Sequence, residues 1–212
     1  MSCRRSIRAG VAAFSALAVL AVGTSTANAG VLVASAPSCD DQTMSKPFTP
    51  WLDYADYTPL PGGNFEGDMG GWSMSGGADV ADGNAPQHVG GAADSSSLAI
   101  PSRGSATSAT ICVGLEHPTI RFFAKRRSTG LLASLSTLRV DVLTELFTGD
   151  VVTLPIGVVA SNGTWQPTLP MLAVANLLPL LPGEHTPIAF RFTAQGGAWS
   201  VDDVYVDPYG RK

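Results

Sequence analysis

Only three histidines and three cysteines occur among the 212 residues, and the histidines, His88, His117 and His185, have no second His or Cys at metal-binding spacing. A zinc centre is therefore not expected. A serine nucleophile needs a sharp turn such as Gly-x-Ser-x-Gly. Gly71-Trp72-Ser73-Met74-Ser75 comes nearest and lacks the second Gly. Glycoside hydrolysis needs two carboxylates on either side of a sugar, and the echo between Glu116-His117 and Glu184-His185, both in turn regions, does not supply that arrangement. These absences predict a protein that is not an enzyme, with a glycan-active hydrolase as the alternative.

Basic charge is also scarce. Beyond residue 29, ten Lys and Arg face seventeen Asp and Glu, a net charge of −7 with His neutral. An electrostatic grip on nucleic acid needs a basic face, and only Lys125-Arg126-Arg127 clusters, as a triplet that ends a strand or sits on a solvated turn. Nucleic acid is not an expected partner.

Long apolar runs are nearly missing too. Residues 9–22 form one, after Arg4, Arg5 and Arg8 and before the small residues Ala27-Asn28-Ala29. This order predicts a secretory signal peptide over residues 1–29, cut after Ala29. The run is shorter than the ~20 apolar residues a membrane span needs. Arg4-Arg5 resembles a twin-arginine signal too slightly to choose the export route. The other apolar stretch, 171–181, is broken by Asn176 and Pro179. The expected location is therefore extracellular, with no membrane span after cleavage. Removal of Cys3 with the signal leaves Cys39 and Cys112, an even pair in an oxidising compartment. A disulfide between them is expected, with two buried free thiols as the alternative. Closing a loop of that length stabilises by about 4 kcal/mol in the chain-entropy description.

What remains is punctuated regularly. Residues 30–61 read as an irregular lead-in broken by Pro47, Pro50, Pro59 and Pro61, whose aromatics Phe48, Trp51, Tyr54 and Tyr57 are too apolar to leave in water, so the segment is expected to pack on the domain. From residue 62 to 207, short apolar runs alternate with Gly, Pro and Ser, the mark of an all-β, antiparallel sandwich of two sheets. Candidate strands fall at 71–75, 78–81, 97–100, 110–115, 119–125, 137–146, 150–159, 164–169, 186–193 and 198–206. Residues 138–145 swap apolar and polar side chains in the half-buried pattern, and Thr148-Gly149-Asp150 supplies a hairpin turn. Residues 171–178 suit either a short helix or a strand, and 208–212 read as a tail.

Two motifs stand at the extremities of this body. Asn64-Phe65-Glu66-Gly67-Asp68 with Trp72 opens it, and Val201-Asp202-Asp203-Val204 lies in its last strand. In these motifs the chain resembles the galactose-binding-like β-sandwiches, which include many carbohydrate-binding modules of secreted bacterial proteins. The resemblance implies a jelly-roll fold with the first and last strands adjacent, and a structural calcium ion held by Glu66 with Asp203 or Asp202. Calcium takes six to eight oxygen ligands, and successive strand residues face opposite sides, so one of the two aspartates, Asp203 by slight preference, would point at the ion. The alternative is that all three carboxylates are solvated or cap turns.

Sugars stack their C–H faces on aromatic rings. Trp51, Tyr54, Tyr57 and Trp165 are the candidate glycan contacts, with Tyr205 and Tyr209 behind them, while Trp72 and Trp199 read as core. The expected partners are glycans or cell-envelope components. A structural or surface-interaction protein with no small ligand is the alternative.

Overall fold

The computed structural model describes residue 32 and residues 42–114, 119–146, 148–160, 163–173 and 185–207. Residues 1–29, expected to form a signal peptide, and Cys39, Glu116, His117, Glu184, Tyr209 and residues 174–178 lie outside the described residues.

The body is all β, with two antiparallel sheets packed face to face as expected. Thirteen strands follow in chain order: β1 (Thr58–Pro59), β2 (Ser73–Ser75), β3 (Asp79–Asp82), β4 (Ser96–Ile100), β5 (Ser105–Thr107), β6 (Ile111–Val113), β7 (Thr119–Arg126), β8 (Thr137–Glu145), β9 (Val151–Val159), β10 (Gln166–Pro167), β11 (Met171–Leu172), β12 (Thr186–Gln195) and β13 (Trp199–Asp207). One sheet runs β10-β7-β13-β4-β3, with β1 also on β13 and β11 also on β7. The other runs β2-β5-β12-β8-β9, with β6 also on β12.

Alternation decides which side chains fill the space between the sheets. On β7, Ile120, Phe122 and Ala124 point inward, while Arg121 and Phe123 take the opposite face. Phe122 meets Phe192 of β12 edge to face at 5.2 Å. Trp199 is fully enclosed and its indole N–H donates to Ser136 Oγ at 2.8 Å, satisfying the one polar atom that burial would otherwise orphan. Trp72, half-buried, stacks on Phe192 and donates to the Pro61 carbonyl.

The hairpin between β8 and β9 is closed at Gly149 (φ 85°), whose missing side chain makes that left-handed backbone accessible. β9 is a sheet edge and carries Pro155 next to a bulge of its own, Ile156 being the extra residue between the pairs Val140–Gly157 and Asp141–Pro155. Proline has no N–H to offer a neighbouring strand, and a bulge twists the edge away, so the two protect this edge from further pairing.

Differences from the sequence reading concern short elements. Residues 164–169 contribute only the two-residue β10. β1, β5 and β11, each of two or three residues, were not foreseeable from periodicity. Residues 171–172, left open between helix and strand, form β11. Among the described residues, no helix is long and apolar enough to cross a membrane.

Candidate functional site

The lead-in builds a second, smaller core on the outer face of the β7/β13 sheet. Phe48 and Tyr57 close over Phe123 and Tyr205, with Phe48 stacked on Phe123 at 5.7 Å and edge-on to Tyr57 at 4.9 Å. Its backbone joins the sheet through β1, where Thr58 pairs with Val206 and Pro59 with Tyr205. After a single 3₁₀ turn, Thr49–Trp51, Leu52 adopts φ 61° and turns the chain outward, which leaves Tyr54 61% exposed and Trp51 half-buried.

Beside this cluster runs a groove of about 640 Å³ between the lead-in and residues 169–172. Trp51, Tyr54, Leu169 and Leu172 give it apolar walls, while Arg121 and Asp207 are among its polar groups. Arg121 is held from three sides: its Nε donates to the Thr168 carbonyl at 2.7 Å, its Nη1 pairs with Asp53, and its guanidinium lies 4.4 Å from the Phe48 ring centre. Asp53 also accepts from the Tyr57 hydroxyl at 2.7 Å and the Ala55 amide at 3.2 Å. Burial pushes the Asp53 carboxyl up, but the hydrogen bonds from Tyr57, Ala55 and Arg121, with the Arg121 charge, outweigh it and hold its pKa below the ordinary value. Asp207 differs. It is 6% exposed, its Oδ1 has no hydrogen-bond partner, and burial together with the nearby Asp53 charge raises its pKa to about 6.

A carboxylate cluster lies on the other side of the lead-in. The two extremities of the body do meet: Leu60 N–H donates to the Val204 carbonyl at 2.9 Å and Val204 N–H to the Gly63 carbonyl at 3.0 Å. They meet where β13 bulges away from β7, between Asp202 and Tyr205. Asp203 sits in this bulge with φ 49°, a backbone setting that costs a non-glycine residue free energy and clusters at functional sites. Its neighbour Asp202 points elsewhere, accepting from Ala85 N–H at 2.6 Å and from Asp203 N–H at 2.9 Å.

Asp203 is 1% exposed, and neither carboxylate oxygen has a well-formed hydrogen bond. Burial first, then the charges of Asp94 and Glu66, push its pKa to about 7, partly offset by the Gly90 amide. Asp94 Oδ2 is likewise buried and unpartnered. Both oxygens crowd Gly90: a Cβ there would stand 2.4 Å from Asp203 Oδ1 and 2.8 Å from Asp94 Oδ2. Glu66 lies beside them but is engaged, its Oε1 accepting from the amides of Ser95 and Ser96 at 2.6 and 2.5 Å. No three His, Cys, Asp or Glu side chains among the described residues group closely enough to hold a metal by themselves. The donor set available to a cation is thus two orphaned carboxylates facing one space.

Of the residues singled out in the sequence, Trp51 and Tyr54 are brought together in the groove. Tyr57 is 1% exposed and bonded through its hydroxyl, so it cannot offer a ring face to a sugar, which corrects that expectation. It was misread because an aromatic in a Pro-rich segment carries no mark of the sheet face it will cover. Trp165 is half-buried under the Lys125 ammonium and packs on the same small core, outside the groove. Tyr205 is buried. Glu66 and Asp203 come into one neighbourhood and Asp202 turns away. Asp94, Arg121 and Asp207 are the groups that sequence reading missed: Asp94 sits in a loop with no motif around it, and a lone Arg within a strand gives no sign that it faces a groove. Cys112 is buried on β6, and Cys39 lies outside the described residues.

No protein-family model matches the chain, and no curated protein matches it. Structural neighbours include carbohydrate-binding modules, and also an arabinofuranosidase and a bacteriophage tailspike domain. The chain is similar to the family 22 module joined to a glycoside hydrolase in Clostridium thermocellum endo-1,4-beta-D-xylanase 10B, solved with xylohexaose (17% identity, TM-score 0.47), covering 69% of this chain and 28% of that one. It is similar to a xylan-binding family 22 module from Paenibacillus barcinonensis (14% identity, TM-score 0.46, 69% of this chain and 91% of that one). A family 11 module of a Clostridium thermocellum cellulosomal cellulase also matches (12% identity, TM-score 0.40, 74% and 96%). The chain thus spans about a quarter of the xylanase structure and nearly all of each isolated module.

Proposed function

We propose that this chain is an exported, non-catalytic β-sandwich that binds carbohydrate in the groove between the lead-in and residues 169–172. The observation that carries the reading is the pairing there of Trp51 and Tyr54 with fixed polar groups. Ligand sites are concave, mostly apolar and supplied with a few placed polar groups. A sugar ring stacked on Tyr54 would turn its hydroxyls toward the polar side of the groove, where Arg121 and Asp207 are among the lining residues. Catalysis is not favoured by the same geometry. Asp53 is committed through both oxygens to Tyr57, Arg121 and Ala55, which leaves Asp207 without a second free carboxylate.

A structural calcium ion at Asp203 and Asp94, rather than at Asp203 and Glu66, belongs to the same proposal. A buried carboxylate without donors needs a proton or a cation, and backbone carbonyls and water can complete a calcium shell. The Cys39–Cys112 disulfide is part of it as well. Gln42, three residues beyond Cys39, donates to the Cys112 carbonyl at 2.9 Å, which brings the start of the lead-in to β6.

A glycan array followed by affinity measurement tests the groove. Tyr54→Ala removes an exposed ring and should leave the fold intact while weakening the selected glycan about tenfold; unchanged affinity would remove the groove from the account. A second reading, docking of a protein with no small ligand, draws on the exposure of Leu52 (80%), Leu169 (81%) and Leu172 (57%) around the same groove. Absence of retention on every glycan would favour it.

A further inference from the structure

We propose that the end of β7 remote from the groove forms a second site, which binds an oxyanion carried on an acidic glycan. Lys125, Arg126 and Arg127 line a cavity of about 570 Å³ together with Ser128, Thr129 and Gly130, and no acidic side chain among the described residues lines it. This is unusual for a chain in which acids outnumber bases. None of the three cations takes part in an ion pair among the described residues. Arg126 Nε is buried and has no acceptor. A buried guanidinium N–H without a partner is costly, and an oxyanion in the cavity would place a charge-assisted acceptor beside the Arg126 and Arg127 side chains that line it.

The cavity wall is fixed by backbone bonds. Arg127 N–H donates to the Ala198 carbonyl at 2.8 Å, and Ala198 N–H returns a bond to Ser128 Oγ at 2.7 Å. Lys125 Nζ is steadied by a cation–π contact, 5.1 Å over the Trp165 ring. Strand residues rise about 3.3 Å each, so Lys125 stands roughly 13 Å along the outer face from Arg121 at the groove. A chain of a few sugars would span both places. That the carrier is a glycan rests on the groove reading; the seat for the anion does not.

Two measurements on the full chain test this. In the first, thermal unfolding is followed with inorganic phosphate against sodium chloride of equal ionic strength, for the wild type and for Arg126→Gln/Arg127→Gln. Phosphate should raise the wild-type Tm and leave the variant's unmoved. Without phosphate the variant should be no less stable than the wild type, whereas a structural role for Arg126 would lower its Tm. In the second, affinity electrophoresis compares polygalacturonate with neutral hydroxyethylcellulose. The variant should lose at least about tenfold in affinity for polygalacturonate, in a salt-sensitive manner, and Tyr54→Ala should not abolish its phosphate response. Equal phosphate responses in wild type and variant, or none in either, would overturn the anion seat whatever happens at the groove. A phosphate response without retardation on polygalacturonate would overturn the acidic glycan as carrier.

Discussion

Asp203 is the residue whose setting asks most for an explanation, because a left-handed backbone, near-complete burial and two unpartnered oxygens coincide in one side chain. If calcium fills that need, the ion binds only the folded chain. At a hundred times its Kd it adds about 2.7 kcal/mol, or roughly 5–10 °C in Tm for a domain of this size. A chelator should remove that increment from the wild type and have no effect on Asp203→Asn; a Tm indifferent to chelator in the wild type would leave the carboxylate to be neutralised by a proton. Asp207 carries a separate prediction. Its folded pKa, about 6, is raised above the ordinary value by burial and by Asp53, so the folded state holds the proton more tightly than the unfolded one. Stability contributed by this group is therefore whole below about pH 4 and lost as pH rises to about 6, by at most about 3 kcal/mol. Denaturant titrations across that window should show a smaller fall for Asp207→Asn than for the wild type, and parallel curves would refute the assignment. Glu66 and Asp203 were legible as neighbours only through the resemblance of their two motifs to the galactose-binding-like sandwiches, which implies adjacent first and last strands. Asp94 was not, since its contact with Asp203 joins a featureless loop to a strand more than a hundred positions away.

At the scale of elements, the longer strands could be read because alternation over eight or nine residues is unambiguous, as in β8, where Leu138, Val140 and Val142 enter the core. Strands of two or three residues exist only because a long neighbour recruits them: Ser105-Ala106-Thr107 has no pattern of its own and is a strand by virtue of β12. The lead-in follows the same logic. Its prolines forbid a long ladder, so it is fastened by ring contacts, and Phe48 alone touches Trp51, Tyr57, Phe123 and Tyr205. Phe48→Ala should therefore cost about 3–5 kcal/mol. It should also loosen the groove wall, so that glycan affinity falls with stability, while Tyr54→Ala lowers affinity alone. Equal stability of Phe48→Ala and wild type in urea would mean that the lead-in does not fold as part of the domain.

For the whole molecule, the lead-in spends Phe48, Trp51 and Tyr57 on the outside of a sheet rather than in the central core. Such a segment is bound along one side only, with much of its surface facing water, and lead-in residues line both the groove and the cavity of about 440 Å³ that Asp203 borders. The groove and the Asp203 site thus depend on where the lead-in is anchored. Gln42 already contacts the Cys112 carbonyl on β6 of the opposite sheet, so a covalent link through Cys39 would tie the segment across the edge of the sandwich and shrink the unfolded ensemble at the same time. In the chain-entropy description that link is worth about 4 kcal/mol, or roughly 10 °C in Tm at this size. Reduction of the chain lacking residues 1–29 should lower its Tm by about that amount, and Cys39→Ser should reproduce the effect without reductant. Free-thiol titration of the unreduced, unfolded chain should find neither cysteine reactive; two reactive thiols would leave the lead-in held by its aromatic contacts alone.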